Sequence, residues 1–392
     1  MNLFAARLTG KMLSTETFEK TVYDMQERVK RYRQIEKSPE LAEYKELKQR
    51  VESSEFKARK NELVSRKYRD TDEGRLMASY ERLKKSRNIS EAGQEQLLKI
   101  EAEINTEDFR KRNALWADTK RWEHSEEYKI EQRFKELGKL DDIKFYFKQR
   151  EEKIDWAELF RPAFDDDMSS SKNWKPGFGY ANPAMKDGHS RTSELQAYNA
   201  GMNTFFAEGR MDIETRTGSV KAVAWDEKKG FTEAVFDYTS DVMNTKEAFA
   251  QESGLFMAKV RTQGIGHHFF GLTTGKQGSP MIALYHYNGN RHQVGYVNGR
   301  ETRMVDLTGV LRSLYHVYSF RWTKNELIWY VNNLELLRMP NCLPKEAMFF
   351  IAQSWLPKSE KGGEGKLKVQ WARVYRSVDD SPLAQRNAAL RS

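Results

Sequence analysis

Glycine and proline are confined almost entirely to the second part of this chain. Of its 24 glycines only Gly10, Gly74, Gly93 and Gly138 precede residue 160, and of its 9 prolines only Pro39 does. Both residues break helices, and both are wanted where a chain must turn. Their distribution predicts a helical first part and a turn-rich second part. The 392 residues also exceed one ordinary core, since a domain usually takes roughly 100 to 200 residues. The expected division is an all-helical domain of short antiparallel helices over 1–160, a linker over 161–175, a sandwich over 176–378 and a tail over 379–392.

A helix-start signal recurs through the first part, at Ser38-Pro-Glu, Ser54-Glu, Thr71-Asp-Glu, Ser90-Glu, Thr106-Glu-Asp, Ser125-Glu-Glu and Asp141-Asp. A Ser or Thr oxygen accepts from the free amides of a first helical turn, and acidic residues there suit the helix dipole. Successive signals lie 16 to 19 residues apart, room for one helix of three or four turns and a short link. Apolar positions fall three and four apart, as in Tyr44, Leu47 and Val51, in Leu76, Tyr80 and Leu83, and in Phe134 and Leu137. That spacing makes one stripe per helix. The echo Tyr44-Lys-Glu-Leu47, Tyr80-Glu-Arg-Leu83 and Phe134-Lys-Glu-Leu137 fits a helical-hairpin repeat, and a plain antiparallel bundle fits as well.

The polar run Asp165-Asp-Asp-Met-Ser-Ser-Ser-Lys172 marks the change of pattern. Beyond Trp174 come short aromatic and β-branched runs, with alternation at Leu327–Val331 and Leu367–Tyr375, the pattern of an all-β sandwich. Ser240-Asp-Val-Met-Asn-Thr-Lys246, Gly254-Leu-Phe-Met-Ala-Lys-Val260, Tyr318-Ser-Phe-Arg-Trp322 with Ile328-Trp-Tyr-Val-Asn-Asn333, and Lys368-Val-Gln-Trp-Ala-Arg-Val-Tyr375 follow one another in order. In that order they resemble the strands of glycoside hydrolase family 16, within the concanavalin A-like lectin-glucanase superfamily. The fold class expected is therefore multidomain, α and all-β: a helical repeat or bundle followed by a concanavalin-like jelly roll.

The same resemblance puts a catalytic strand of the form Glu-x-Asp-x-Glu, or bulged Glu-x-Asp-x-x-Glu, on Gly278-Ser-Pro-Met-Ile-Ala-Leu-Tyr-His-Tyr287. Met281 stands at the nucleophile, Ala283 at the supporting Asp, and Tyr285 or His286 at the acid/base. No Asp or Glu occurs between Glu252 and Glu301, so a shift of register restores no carboxylate, and a retaining glycosidase needs two. Trp322, Trp329 and Trp371, on alternating strands, read as core. The residues left to bind a ligand are Tyr285, His286, Tyr287, Asn288, Arg291, His292 and Trp355. Aromatic rings stack on sugar faces while His, Asn and Arg bond hydroxyls.

Cys342 is the only cysteine, which rules out an internal disulfide and a Cys-based metal site. The histidines lack helical ligand spacing, and adjacent His267 and His268 point to opposite faces of a strand. No cofactor and no metal are expected. The net charge of +9 is spread over 66 basic and 57 acidic residues, a solvated charged surface without a nucleic-acid signature. No apolar run has the length of a leader or a membrane span. The expected location is cytoplasmic, or outside the cell if a leader precedes the sequence. Three functions fit: a non-catalytic binder of carbohydrate or protein, with a protein partner on the helical half; a glycosidase with carboxylates relocated to Glu301 or Asp306; or a structural subunit of a larger assembly.

Overall fold

The structure is a computed structural model describing residues 2–151, 162–180, 188–276, 280–298, 301–309 and 311–376. The expected tail at 379–392 lies outside the described residues. The chain divides into two compact units, Lys30–Ile154 and the remainder, Met1–Val29 with Asp155–Ser392.

The helices are α1 (Leu3–Leu8), α2 (Thr15–Glu36), α3 (Pro39–Glu52), α4 (Ser54–Ser65), α5 (Asp72–Lys85), α6 (Glu91–Ile104), α7 (Glu107–Ala117), α8 (Glu126–Lys139) and α9 (Asp141–Glu151). Side-chain caps start α3 to α8, where the spacing predicts them. Ser38, Thr71, Ser90, Thr106 and Ser125 accept from the amide three residues on. At α4 the cap is Ser53, bonded to the Phe56 amide, and Ser54 is already helical. Two of the echoed segments face one another: Tyr44 of α3 stacks on Phe134 of α8 with centroids 5.0 Å apart. Beside them Arg133 grips both oxygens of Glu43. Lys60 of α4 bonds Glu131 of α8 at 2.7 Å, and Tyr32 of α2 stacks on Tyr146 of α9. Helices early in this unit thus pack on its last two. Among the described residues no helix is long and apolar enough to cross a membrane.

The strands, in chain order, are β1 (Pro162–Asp166), β2 (Lys175–Pro176), β3 (Ser190–Arg191), β4 (Gln196–Tyr198), β5 (Thr204–Ala207), β6 (Arg210–Asp226), β7 (Gly230–Ser240), β8 (Val242–Asn244) and β9 (Gly254–Gly264). Then follow β10 (His267–Thr273), β11 (Met281–Asn288), β12 (His292–Asn298), β13 (Glu301–Leu307), β14 (His316–Trp322), β15 (Glu326–Val331), β16 (Leu334–Pro340), β17 (Phe349–Trp355) and β18 (Gly365–Tyr375). One sheet runs β16-β15-β14-β9-β18-β6-β7-β4, with β1 on β18 and both β3 and β5 on β6; the other runs β13-β12-β11-β10-β17-β8-β2. All pairs are antiparallel except β3 with β6 and β4 with β7.

Alternation sends Phe256, Ala258 and Val260 of β9 into the core between the sheets, where they meet Phe270, Phe320, Trp322, Trp329 and Phe350. Burying each such large side chain contributes about 1.5 to 3 kcal/mol. Met257 points the other way, to Val317 and Trp371 on the outer face of the larger sheet. Trp322 and Trp329 are core residues as expected, and Trp371 is buried on that outer face instead.

The expected boundaries differ from the observed ones at both ends of the helical part. Residues 1–29 group with the sandwich: Leu3 and Met12 enter its core, and Phe18 of α2 packs beside Trp371. Glu19 joins Trp371 Nε1 at 3.0 Å and Lys259 Nζ at 2.7 Å. Scarcity of glycine and proline reports helix, not the core to which a helix contributes. In the expected linker, Phe164 is buried and Pro162–Asp166 pairs with β18.

Candidate functional site

The site is built around an irregularity in β11. Ile282 and Leu284 face the inter-sheet core, as alternation requires, and Tyr285 faces it as well. The pairing with β10 skips from Gly271↔Ala283 to Phe270↔Tyr285, and the pairing with β12 slips between Ala283 and His286. One extra residue therefore sits in β11, and the side chains beyond it change face. Gly271 makes room for this, because a Cβ there would collide with the Ile282 carbonyl oxygen. Met281, Ala283 and His286 consequently share the outer face of the smaller sheet, in the spacing of the bulged pattern. His286, not Tyr285, occupies the third position.

Three expected ligand residues face inward instead: the bulge turns Tyr285 and Tyr287, and His292 shares the inward side of β12 with Val294. Tyr285 is fully buried, its hydroxyl bonded to Thr262 Oγ1 and its ring edge-on to Tyr318 at 5.1 Å. His292 is buried beside it, with centroids 4.4 Å apart. Tyr287 also turns inward: it is half-buried against the core, beneath the Arg312 guanidinium at 4.6 Å, and its hydroxyl donates to Gly289 O. His268 points inward to Ser354 while its neighbour His267 points outward, as adjacent strand positions must.

His286, Asn288, Arg291 and Trp355 remain on or beside the outer face. Trp355 is half-buried, 5.1 Å from the His267 ring and 5.9 Å from His286, which lies parallel to it. Cross-strand pairing aligns Gln353, Phe269, His286, Gln293 and Asp306 in one row. Asp306 accepts from Gln293 Nε2 at 2.7 Å and from exposed Arg291 at 3.1 Å. Asn288 Oδ1 accepts from the Arg291 amide at 2.7 Å. Glu360 reaches His267 Nε2 at 2.8 Å. Burial, then the nearby His267, lowers the His286 pKa to about 4, so this ring is neutral at pH 7 and serves as a hydrogen-bonding group.

The other part of the face is covered. Ala283 is 1% exposed, packed with Phe178, Tyr198, Val242, Phe269 and Ile351, and Met281 lies against the same group. Gln353 Nε2 donates to the Tyr198 hydroxyl. Beside Tyr198, the buried Glu194 carboxylate accepts from Gln196 Nε2 at 2.6 Å and lies 3.5 Å from Arg191. Burial raises the Glu194 pKa against the opposing pull of Arg191.

No carboxylate stands at positions 281, 283 or 286. Asp306 lies two strands from His286, about 10 Å at the usual strand spacing, and is already held by two side chains. Glu301 is exposed beside Arg303 at the start of β13. Among the described residues no group of three or more His, Cys, Asp and Glu could hold a metal ion.

Sequence reasoning did not single out Glu194, Arg191, Tyr198, Gln353, Gln293, His267 or Glu360 as site residues. Gln353 was within reach, being two residues before Trp355 and hence on its face. The segment around Glu194 carries no periodic signal.

The family described as Glycosyl hydrolases family 16 has a model that matches residues 265–373, the span from β10 through β18. No curated protein matches the chain. Similar solved structures include the catalytic domain of an endo-1,3-beta-glucanase (laminarinase) from Thermotoga petrophila RKU-1, 18% identical, covering 56% of this chain and 98% of that one at a TM-score of 0.45. An endo-beta-1,3-glucanase from Pyrococcus furiosus is 19% identical, covering 55% and 94% at a TM-score of 0.43. Residues 265–373, which run from β10 into β18 and contribute strands to both sheets, are similar in sequence to glycosyl hydrolases family 16.

Proposed function

We propose that the sandwich is a non-catalytic carbohydrate-binding domain whose recognition surface is the uncovered end of the smaller sheet. The observation that carries this reading is the bulged triad of Met281, Ala283 and His286, which keeps the family's strand geometry without a carboxylate. Trp355 offers a ring for a pyranose face, and neutral His286, Asn288, Gln293, Arg291 and Asp306 offer donors and acceptors for hydroxyls. Their mutual hydrogen bonds preorganise the surface. The helical unit, whose contacts are cross-links between helices, is proposed as the scaffold that meets a protein partner.

The test is a binding screen of the full chain against β-glucans and a broad glycan array, with product analysis by mass in the same samples. Binding that falls at least tenfold in Trp355→Ala, without cleavage, is the expected result. Cleavage would assign an active glycosidase with relocated carboxylates, and no binding to any glycan would leave the structural role in its place.

A further inference from the structure

A second surface lies on the sandwich unit, away from the smaller sheet's outer face. Helix α1 is tied down by its N-cap, Asn2 Oδ1 accepting from the Ala5 amide at 3.1 Å, and by the bond from Leu3 N to Thr308 O at 2.8 Å. Its inward residue Leu3 is buried. Its outward stripe is not: Phe4 is 60% exposed and Leu8, one turn on, is 73% exposed. Across from them Leu311 and Leu314 stand 65% and 45% exposed. Between these walls runs a groove of about 420 Å³ whose floor includes Met12 and His316.

Exposed leucines occur singly on most surfaces, but four large apolar side chains ringing one groove form a patch that marks an interaction site. The charge around it is one-sided. Arg7 lines the groove, no carboxylate does, and among the described residues Arg7 has no ion-pair partner. A second copy of this chain docked face to face would bring Arg7 a groove without a carboxylate to pair with it. The projecting rim leaves a small molecule too open, since small ligands are usually buried by about 70–90%.

We propose that this groove docks an acidic amphipathic helix of another protein, its apolar stripe seated between Phe4 and Leu8 on one side and Leu311 and Leu314 on the other, with a flanking carboxylate on Arg7. An apolar helix in an apolar groove reads as anchors at i, i+3 or i+4 and i+7, and the pair Phe4 and Leu8 supplies the matching one-turn spacing.

The test uses a synthetic fluorescent helix with leucines at that spacing and glutamates beside them, a lysine counterpart, and the full chain. The glutamate peptide is expected to bind, with at least a tenfold loss in Leu8→Asp and a preference for the lysine peptide in Arg7→Glu. Leu8 is mostly exposed, so its variant keeps the fold, and an unchanged thermal transition checks this. Failure of both peptides, or binding indifferent to Leu8→Asp, overturns the proposal. Self-association in sedimentation that Leu8→Asp abolishes assigns the groove to a second copy, and flotation with phosphatidylserine vesicles lost in the same variant assigns it to a lipid surface; either result overturns it too.

Discussion

The two units of this chain are held together in opposite ways. In the helical unit, none of the helices α3 to α9 buries more than two apolar side chains. Among the described residues its two buried acids are tied to bases, Glu73 to Arg112 and Glu131 to Lys60 and Lys135. The sandwich instead buries whole rows of aromatic residues and sequesters uncharged histidines. One unit depends on caps, stacked rings and cross-links near the surface; the other depends on desolvation.

The largest effect that could break this comparison is the loss of one sandwich ring. Trp329→Ala, at a fully buried position, is expected to cost about 3–5 kcal/mol of the sandwich's stability in urea unfolding. A cost near 1 kcal/mol would mean that its core is no more demanding than the helical one.

Acid should separate the units next. Burial lowers the pKa of His268 and His292 to about 3, against roughly 6.5 in an unfolded chain. Below that unfolded value the unfolded state binds more protons than the native one, so the stability these neutral rings allow is fully present above about pH 6.5 and is lost as pH falls toward about 3. His292→Phe is expected to remove on the order of 2 kcal/mol of that loss. In the helical unit Glu131 and Glu73 have pKa values lowered by their partners despite burial; their stability contribution persists above the usual Glu value and is lost only as pH falls further. Circular dichroism at 222 nm and tryptophan fluorescence followed from pH 7 to 3 should show the sandwich yielding first. Loss of helix before pH 5 would contradict this order.

Within the helical unit the caps should outweigh the ion pairs. Thr71→Ala removes a buried oxygen that accepts from Gly74 N at 3.0 Å and donates to Tyr68 O at 2.7 Å, and is expected to cost about 1–2 kcal/mol. Arg133→Ala breaks a bidentate but largely exposed pair with Glu43 and should cost less than Thr71→Ala, and less still in high salt. A larger cost for Arg133→Ala would move the unit's stability from caps to charges.

The contrast also explains what could be read from sequence. Helix starts were legible because a cap is a contact over three residues, and even the error at Ser54 was one position. The allegiance of residues 1–29 was not legible, because it is decided by contacts such as Glu19 with Trp371, more than 350 residues apart. In the site, the outward position of Trp355 follows from strand alternation, whereas that of His286 is set by the bulge in β11. The inward turn of Tyr285 and Tyr287 is set by a bulge, which changes face without leaving a mark in composition, and that of His292 goes with Val294 on its own strand. The cover formed by Phe178 and Tyr198 carried no periodicity to detect.

That cover bears on enzyme engineering. Since Met281, Ala283 and His286 already share a face, three substitutions would rewrite the acidic strand, and a designer could regard the sandwich as a dormant hydrolase. A carboxyl group at position 283 would instead enter the apolar group around Phe178 and Tyr198, where burial would keep it protonated. Any attempt to rewrite this strand therefore begins with the residues that cover it, Phe178 and Tyr198 among them.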